Sequence, residues 1–148
     1  MTNQEIKKSP WDALEHHSNE LTKKQFDFCV RESSYAALLF CAEKLSSKQF
    51  DFCVREEPMH ALQFFAEKLT PDQFGFCVIK KPWMALEYCI NRLTPEQLDY
   101  CVRESPATAF DCCPHKLTEE QRKDFEKMEK WLNGGIKTKK DKKTLASR

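Results

Sequence analysis

Apolar residues recur along the chain in one fixed order, with a period of 24 residues. The repeated phrase is clearest from Leu69 to Arg92, which reads LTPDQFGFCVIKKPWMALEYCINR. It begins, without an insertion, at five equally spaced leucines: Leu21, Leu45, Leu69, Leu93 and Leu117. A fixed period is typical of repeat arrays, in which each unit buries its apolar face against the next unit.

The first half of each repeat predicts a helix, which we call helix A. Its cap is a serine or threonine, and a glutamine follows three residues later, as in Thr22 and Gln25. This pair is a capping box, because the hydroxyl accepts from the third backbone N–H of the helix and the glutamine accepts from the cap's own N–H. Phe26, Cys29 and Val30 then follow at the i, i+3, i+4 spacing of one apolar helix face.

The second half of each repeat predicts another helix, which we call helix B. Helix A must stop before prolines such as Pro58 and Pro82, since the residue before a proline avoids the helical region. Ala37 and Leu38 belong to one copy of the buried face of helix B. Helices of about ten residues do not persist alone in water. The sequence therefore predicts an all-α fold, an α-solenoid of stacked short helical hairpins.

The two ends of the array depart from the repeat. Residues 1–20 form a degenerate half-repeat, residues 21–116 hold four full repeats, and residues 117–135 predict a longer amphipathic helix that caps the array. We expect the Asn-Gly-Gly sequence at 133–135 to end this helix. Residues 136–148 have few apolar side chains and many lysines, a composition typical of disorder.

Charge is distributed unevenly along the chain. The formal net charge is +1, yet residues 136–148 hold six basic residues against one acidic residue, so the rest of the chain is net acidic. No stretch has the pattern of a signal peptide or the roughly 18 apolar residues of a membrane span. We therefore expect a soluble, cytoplasmic protein that does not enter a membrane.

The eight cysteines are expected to be free thiols. Most share one of two repeat positions on predicted core faces, and stacked helices lie roughly 8–10 Å apart, beyond the reach of a disulfide. Such thiols suit a reducing compartment. Zinc at Cys112, Cys113 and His115, or a metal at His16 and His17, is the alternative use of these side chains. Neither group offers four converging ligands, so we expect no metal and no cofactor.

A second apolar row on helix A consists of Phe28, Phe52, Phe76 and Tyr100. It lies about 160° around the helix from the face that carries Phe26. We expect this row to pack between successive repeats. The alternative is an exposed aromatic ribbon used for binding, which solubility disfavours.

The third repeat interrupts a row of charge pairs. An aspartate and an arginine four residues apart recur on helix A, as in Asp51 and Arg55, and such pairs contribute a few tenths of a kcal/mol. The corresponding stretch of the third repeat carries Gly75, Ile79, Lys80, Lys81, Trp83 and Met84. Apolar and basic groups in place of an ion pair indicate a contact site. The alternative is drift at tolerant positions.

The phrase C-V-R-E-x-P-W-x-A-L-x-Y-C is present in pieces at residues 53–64 and 77–89. It resembles the short tandem helical-hairpin repeats of uncharacterised proteins from bacteria and their phages. The resemblance covers the chain from Lys8 to about Leu117, and the fifth copy departs from it. It implies an all-α array and supplies no catalytic residue.

These observations favour a non-enzymatic protein–protein interaction module. Three glycines in the whole chain leave no glycine-rich phosphate loop, and no nucleophile is paired with a base. A protein partner would bind the outward positions that vary between repeats, together with the altered stretch of the third repeat. These residues are Tyr35, Met59, His60, Gly75, Ile79, Lys80, Lys81, Trp83 and Met84. A phage or mobile-element inhibitor of a host defence complex fits this description.

Two other classes of function stay open at the level of sequence. The first is a nucleic-acid accessory protein whose basic tail contacts phosphates. Its contact residues would be Lys137, Lys139, Lys140, Lys142 and Lys143. The second is a structural array that assembles with itself, and the sequence does not fix the oligomeric state.

Overall fold

The computed structural model describes the backbone of residues 1–145 and the side chains of residues 1–132. In residues 1–145 every regular element is a helix, so the predicted all-α class is confirmed. The α-helices are α1 (Asn3–Lys8), α2 (Pro10–His17), α3 (Lys23–Glu32), α4 (Ser34–Cys41), α5 (Ser47–Glu56), α6 (Pro58–Phe65), α7 (Pro71–Lys80), α8 (Pro82–Cys89), α9 (Pro95–Glu104), α10 (Pro106–Cys112) and α11 (Glu119–Leu145).

The predicted capping boxes start the helix A copies α3, α5, α7 and α9. In the first of them, the Thr22 hydroxyl accepts from the backbone N–H of Gln25 at 3.4 Å, and the Gln25 side chain accepts from the Thr22 N–H at 2.8 Å. A further box, Thr2 with Glu5, starts α1 and was not predicted, because it lies outside the 24-residue register. These local bonds satisfy N–H groups that a helix start otherwise leaves unpaired.

A short 3-10 segment follows four of the helix B copies, which the apolar pattern did not predict. The segments are Ala42–Lys44, Ala66–Lys68, Ile90–Arg92 and Pro114–Lys116. After each segment, the first leucine of the next repeat has an extended backbone. The connection between successive repeats therefore has the same conformation each time.

The core repeats with the same period. Helix B contributes an alanine and a leucine from each of its first four copies, such as Ala61 and Leu62, and helix A contributes a cysteine and a valine, such as Cys53 and Val54; all four are buried. Helix A copies pack on one another, as α3 on α5 and α5 on α7, and helix B copies do the same, as α6 on α8 and α8 on α10. Each repeat therefore buries its apolar face mainly against neighbouring repeats.

The closing helix α11 extends further than the sequence predicted. It runs through Asn133, Gly134 and Gly135, where we expected a stop, and its backbone is helical to Leu145. The structure corrects this boundary, because glycine costs about 1 kcal/mol in a helix interior without excluding the helix. The predicted disorder of 136–148 stays a prediction, and residues 146–148 lie outside the described part of the chain.

Candidate functional site

The outward side of helix B carries a row of large aromatic side chains. Core contacts use residues at the i, i+3, i+4, i+7 spacing, as in Pro58, Ala61, Leu62 and Phe65. Of the side chains between these positions, Gln63 and Phe64 are exposed, whereas Met59 packs partly against the core. We call the following set the helix-B surface: Trp11, Tyr35, Leu39, Phe40, His60, Phe64, Trp83 and Tyr88.

Five rings of the helix-B surface contact one another across three repeats. Trp11 lies 5.5 Å from both Tyr35 and Phe40, measured between ring centroids. Tyr35 stacks on His60 at 4.0 Å, and the ring of His60 is parallel to that of Phe64 at 6.5 Å. Because these contacts join successive helix B copies, the rings form one surface and not isolated spots.

Aromatic side chains are most exposed on the last two helix B copies of this surface, α6 and α8. Phe64 is 55% exposed, Tyr88 47% and Trp83 41%, although each belongs to a residue type that is usually buried in large part. The sequence interpretation included Trp83 but missed Phe40, Phe64 and Tyr88. Their signal was available, since the three aromatics share one repeat position that lies off the apolar stripe of helix B.

Carboxylates lie beside the rings. The indole N–H of Trp11 donates to Glu15 at 2.8 Å, and the Nδ1 atom of His60 lies 3.0 Å from the carboxylate of Glu57. The neighbouring Glu87 carboxylate raises the pKa of Tyr88, because two negative charges side by side disfavour ionisation of the phenol. The helix-B surface is therefore both aromatic and acidic.

The structure divides the nine predicted contact residues into groups. Tyr35 and His60 stack on each other, as described above, and Met59 is half-buried against the core. Met84 is 3% exposed, so the expectation that it faces outward is wrong. Ala36 and His60 occupy the equivalent position in the first and second repeats, and Ala36 is buried whereas His60 is half-buried. The exposure of this position therefore depends on how each repeat packs against its neighbours.

Gly75, Ile79 and Lys80 lie on helix A, where Gly75 and Ile79 face the fourth repeat and Lys80 contacts its own repeat. Ile79 is 62% exposed, and its backbone carbonyl accepts from the Tyr100 hydroxyl at 3.2 Å. The Lys80 ammonium lies 5.7 Å from the centre of the Phe76 ring. Lys81 is the half-exposed cap of α8, directly before the proline that precedes Trp83. The predicted site thus spans the turn from helix A to helix B.

Gly75 also interrupts a ladder of hydrogen bonds between repeats. The capping-box glutamine of one repeat donates to the aspartate of the repeat before it, as in Gln49 to Asp27 at 2.7 Å and Gln73 to Asp51 at 3.1 Å. Gln121 does the same to Asp99 at 3.5 Å, whereas Gln97 faces Gly75 and has no such acceptor.

The predicted charge pairs are present in two of three cases. Arg55 lies 2.9 Å from Asp51, and Arg103 lies 4.0 Å from Asp99. Asp27 is not paired with Arg31 within 4.0 Å in the described side chains; its carboxylate accepts from Gln49 of the next repeat. The aspartate of helix A therefore also accepts a hydrogen bond from the next repeat, a role that the i, i+4 spacing did not suggest.

Two members of the second aromatic row contact an adjacent repeat, as we expected. The guanidinium of Arg55, from the second repeat, lies 5.1 Å from the centre of the Phe76 ring in the third. Tyr100 of the fourth repeat reaches back to the carbonyl of Ile79. Phe52 is more exposed than the other members of this row.

All eight cysteines are free, as predicted, and all but Cys112 are buried. Burial raises the pKa of Cys53 and of Cys77 to about 12, so both thiols are neutral at physiological pH. The thiol of Cys89 donates to the carbonyl of Leu62 in the preceding repeat at 3.4 Å, which the sequence did not reveal.

Metal ligands do not converge in the part of the chain whose side chains are described. No group of three or more histidine, cysteine or acidic side chains there could hold an ion. Cys113 is buried and donates to the carbonyl of Ala109 at 3.1 Å, whereas its neighbour Cys112 is exposed. The two thiols thus have different surroundings, which does not suit joint ligation.

The closing helix covers the end of the array. Phe125 stacks on Phe110 of α10 with 4.4 Å between ring centroids, and a cleft beside them is lined by Val102, Gln121 and Met128, among others. Further along α11, Trp131 is largely exposed. The side chains of the five lysines proposed to contact nucleic acid, between 137 and 143, lie outside the described residues.

Comparison with protein-family models, with curated proteins and with solved structures gave no match to this chain. The resemblance to bacterial and phage repeats therefore stays a prediction. Among the described residues, no helix is both long enough and apolar enough to cross a membrane.

Proposed function

We propose that the helical hairpins stack as an α-solenoid whose helix-B surface binds a protein partner. The observation that carries this proposal is the exposure of Phe64, Trp83 and Tyr88 on consecutive helix B copies. Large aromatic side chains that lie in water and stabilise no core are the type enriched at the centres of protein interfaces. The ring contacts that join the patch from Trp11 to Phe64 favour the same conclusion.

The size of the effect calls for the whole surface and not for three rings alone. Complete burial of an exposed large apolar side chain contributes about 1.5–3 kcal/mol, and Phe64, Trp83 and Tyr88 are each about half exposed, so each can contribute roughly half of that. Their neighbours on the helix-B surface must supply the rest of the free energy that offsets the loss of rotational and translational freedom on association. The contacts of Trp11 with Tyr35 and Phe40 hold part of the surface in place before binding. A preformed surface loses less conformational entropy when a partner binds.

The altered stretch of the third repeat forms the second part of the proposed interface. Ile79 is more exposed than any other large apolar residue of helix A in the described chain, and Trp83 begins the next helix. Lys81 lies between them in sequence. We assign these residues to the edge of the contact area, where the chain turns from helix A to helix B.

The experiment compares three forms of the full chain as bait in an extract of its native cells, with captured proteins identified by mass spectrometry. One variant carries Phe64→Ser and Tyr88→Ser, and a second carries Ile79→Asp and Trp83→Ala. A matched control carries Glu32→Gln and Glu56→Gln, two exposed positions on helix A. Circular dichroism and the melting temperature verify that each variant is folded.

We expect the unchanged protein and the control to capture the same partner, and the Phe64 and Tyr88 variant to capture at least about tenfold less, the loss of about 1.4 kcal/mol. The Ile79 and Trp83 variant should lose a similar amount. Equal capture by all folded variants would show that the partner binds elsewhere or that no specific partner exists.

A further inference from the structure

Charge is segregated between the two kinds of helix. The five helix B copies, α2, α4, α6, α8 and α10, contain no lysine and no arginine, whereas α3, α5, α7 and α9 each contain at least one. Helix B carries four carboxylates: Asp12, Glu15, Glu87 and Asp111. The aromatic residues described above therefore share their helices with carboxylates and histidines and with no lysine or arginine.

Rings and cations meet elsewhere in the molecule. The guanidinium of Arg92 lies 4.5 Å from the centre of the Phe74 ring, and Arg55 and Lys80 both lie near Phe76. Among the described side chains, no lysine or arginine occupies such a position over a ring of the helix-B surface. Ring faces such as those of Trp83 and Tyr88 attract a cation, and no described lysine or arginine covers them.

The carboxylates have a definite order along the array. One repeat position holds Glu15, Leu39, Gln63, Glu87 and Asp111 in successive copies, so acids flank an uncharged middle. Phe40 and Phe64 lie in that middle part. With stacked helices roughly 8–10 Å apart, the distance from Glu15 to Glu87 spans roughly 24–30 Å, which an extended segment of about eight residues covers.

We propose that the helix-B surface binds a polypeptide segment of its partner that has leucine or phenylalanine at its centre and lysine or arginine on both sides. This inference rests on the proposed function and names the chemistry of the partner. The apolar centre packs on Phe40 and Phe64, while the flanking cations meet the carboxylates and the faces of Trp11, Trp83 and Tyr88.

The test uses synthetic peptides and the full chain. The first peptide has about ten residues, the proposed span with one further residue at each end, and consists of four lysines or arginines on each side of a Leu-Phe centre. In the second peptide each basic residue is glutamate. Fluorescence anisotropy of a labelled peptide measures the dissociation constant at two salt concentrations, because charge pairs at a surface weaken as salt rises.

Two triple variants have the same change in charge. The first, Glu15→Gln with Glu87→Gln and Asp111→Asn, neutralises the acids of the helix-B surface. The second, Glu32→Gln with Glu56→Gln and Glu104→Gln, neutralises three exposed acids that share one position of helix A. We expect the basic peptide to bind the unchanged protein, roughly tenfold more weakly to the first variant and within about twofold to the second.

Three results would overturn the inference. These are no binding of the basic peptide, binding of the glutamate peptide with equal affinity, or an equal loss in both triple variants, which would mean attraction to net charge only. The capture experiment separates this failure from that of the proposed function. If the Phe64 and Tyr88 variant still loses its cellular partner, the surface binds a protein of different chemistry.

Discussion

Gly75→Asp tests whether the ladder of hydrogen bonds between repeats stabilises the array. At the other described interfaces between helix A copies, the capping-box glutamine donates to an acceptor in the preceding repeat, including Asn3 for Gln25 at 2.7 Å. Gln97 faces a glycine instead. A Cβ added to Gly75 would lie 3.9 Å from the Nε2 atom of Gln97, an ordinary van der Waals distance, so the new side chain fits without a clash.

The expected gain has two parts. One hydrogen bond contributes about 0.5–1.5 kcal/mol to the free energy of unfolding, and replacing glycine by aspartate inside a helix adds about 0.3 kcal/mol. Gly75 lies well inside α7 and its backbone is helical, so no positive φ angle is lost. A total of about 1 kcal/mol raises the melting temperature of a chain of this size by roughly 2–4 °C.

A double-mutant cycle measured by urea unfolding isolates the bond. Gly75→Asp is combined with Gln97→Ala, and the coupling free energy should be about 1 kcal/mol. Gly75→Ala is the control, because it improves helix propensity without adding an acceptor, so its coupling with Gln97→Ala should be near zero. Equal coupling in the two cycles would refute the claim that the aspartates of the ladder join the repeats.

Leu62→Ala should lower the free energy of unfolding by about 2–5 kcal/mol, because Leu62 is 1% exposed. Leu39→Ala, on the exposed side of helix B, should lower it by less than about 0.5 kcal/mol. Urea unfolding compares the two variants, and similar losses would contradict the assignment of Leu62 to the buried face and of Leu39 to the exposed face. A thiol reagent at pH 8 should modify Cys112 alone in the folded protein and all eight cysteines after unfolding. The reason is that burial keeps thiols such as Cys53 and Cys77 protonated and inaccessible to the reagent. Rapid labelling of a second thiol in the folded protein would contradict this prediction.

The parts of the fold that the sequence predicted are those decided within a few residues. A threonine and a glutamine three positions apart form a capping box wherever the backbone lets them, so Thr22 and Gln25 identified a helix start directly. The buried pair Ala61 and Leu62 followed from helical spacing for the same reason.

What the sequence did not reveal depends on contacts between repeats. Asp27 and Gln49 are 22 residues apart, and only the packing of α3 on α5 brings them together. Met84 was placed outward because the residues at its position differ between copies, yet variation there reflects different packing in each repeat. The end of α11 was misplaced because glycine lowers helix stability by an amount that the rest of a long helix can offset.

Phe40, Phe64 and Tyr88 are harder to explain by folding than any other repeated residues of the array. A repeated leucine, valine or cysteine is accounted for by its burial, and a repeated aspartate by its bond to the next repeat. An aromatic ring that is repeated at an exposed position gains little from either cause, and it costs solubility. The proposed binding function would supply the missing reason, because the ring would leave water only in a complex.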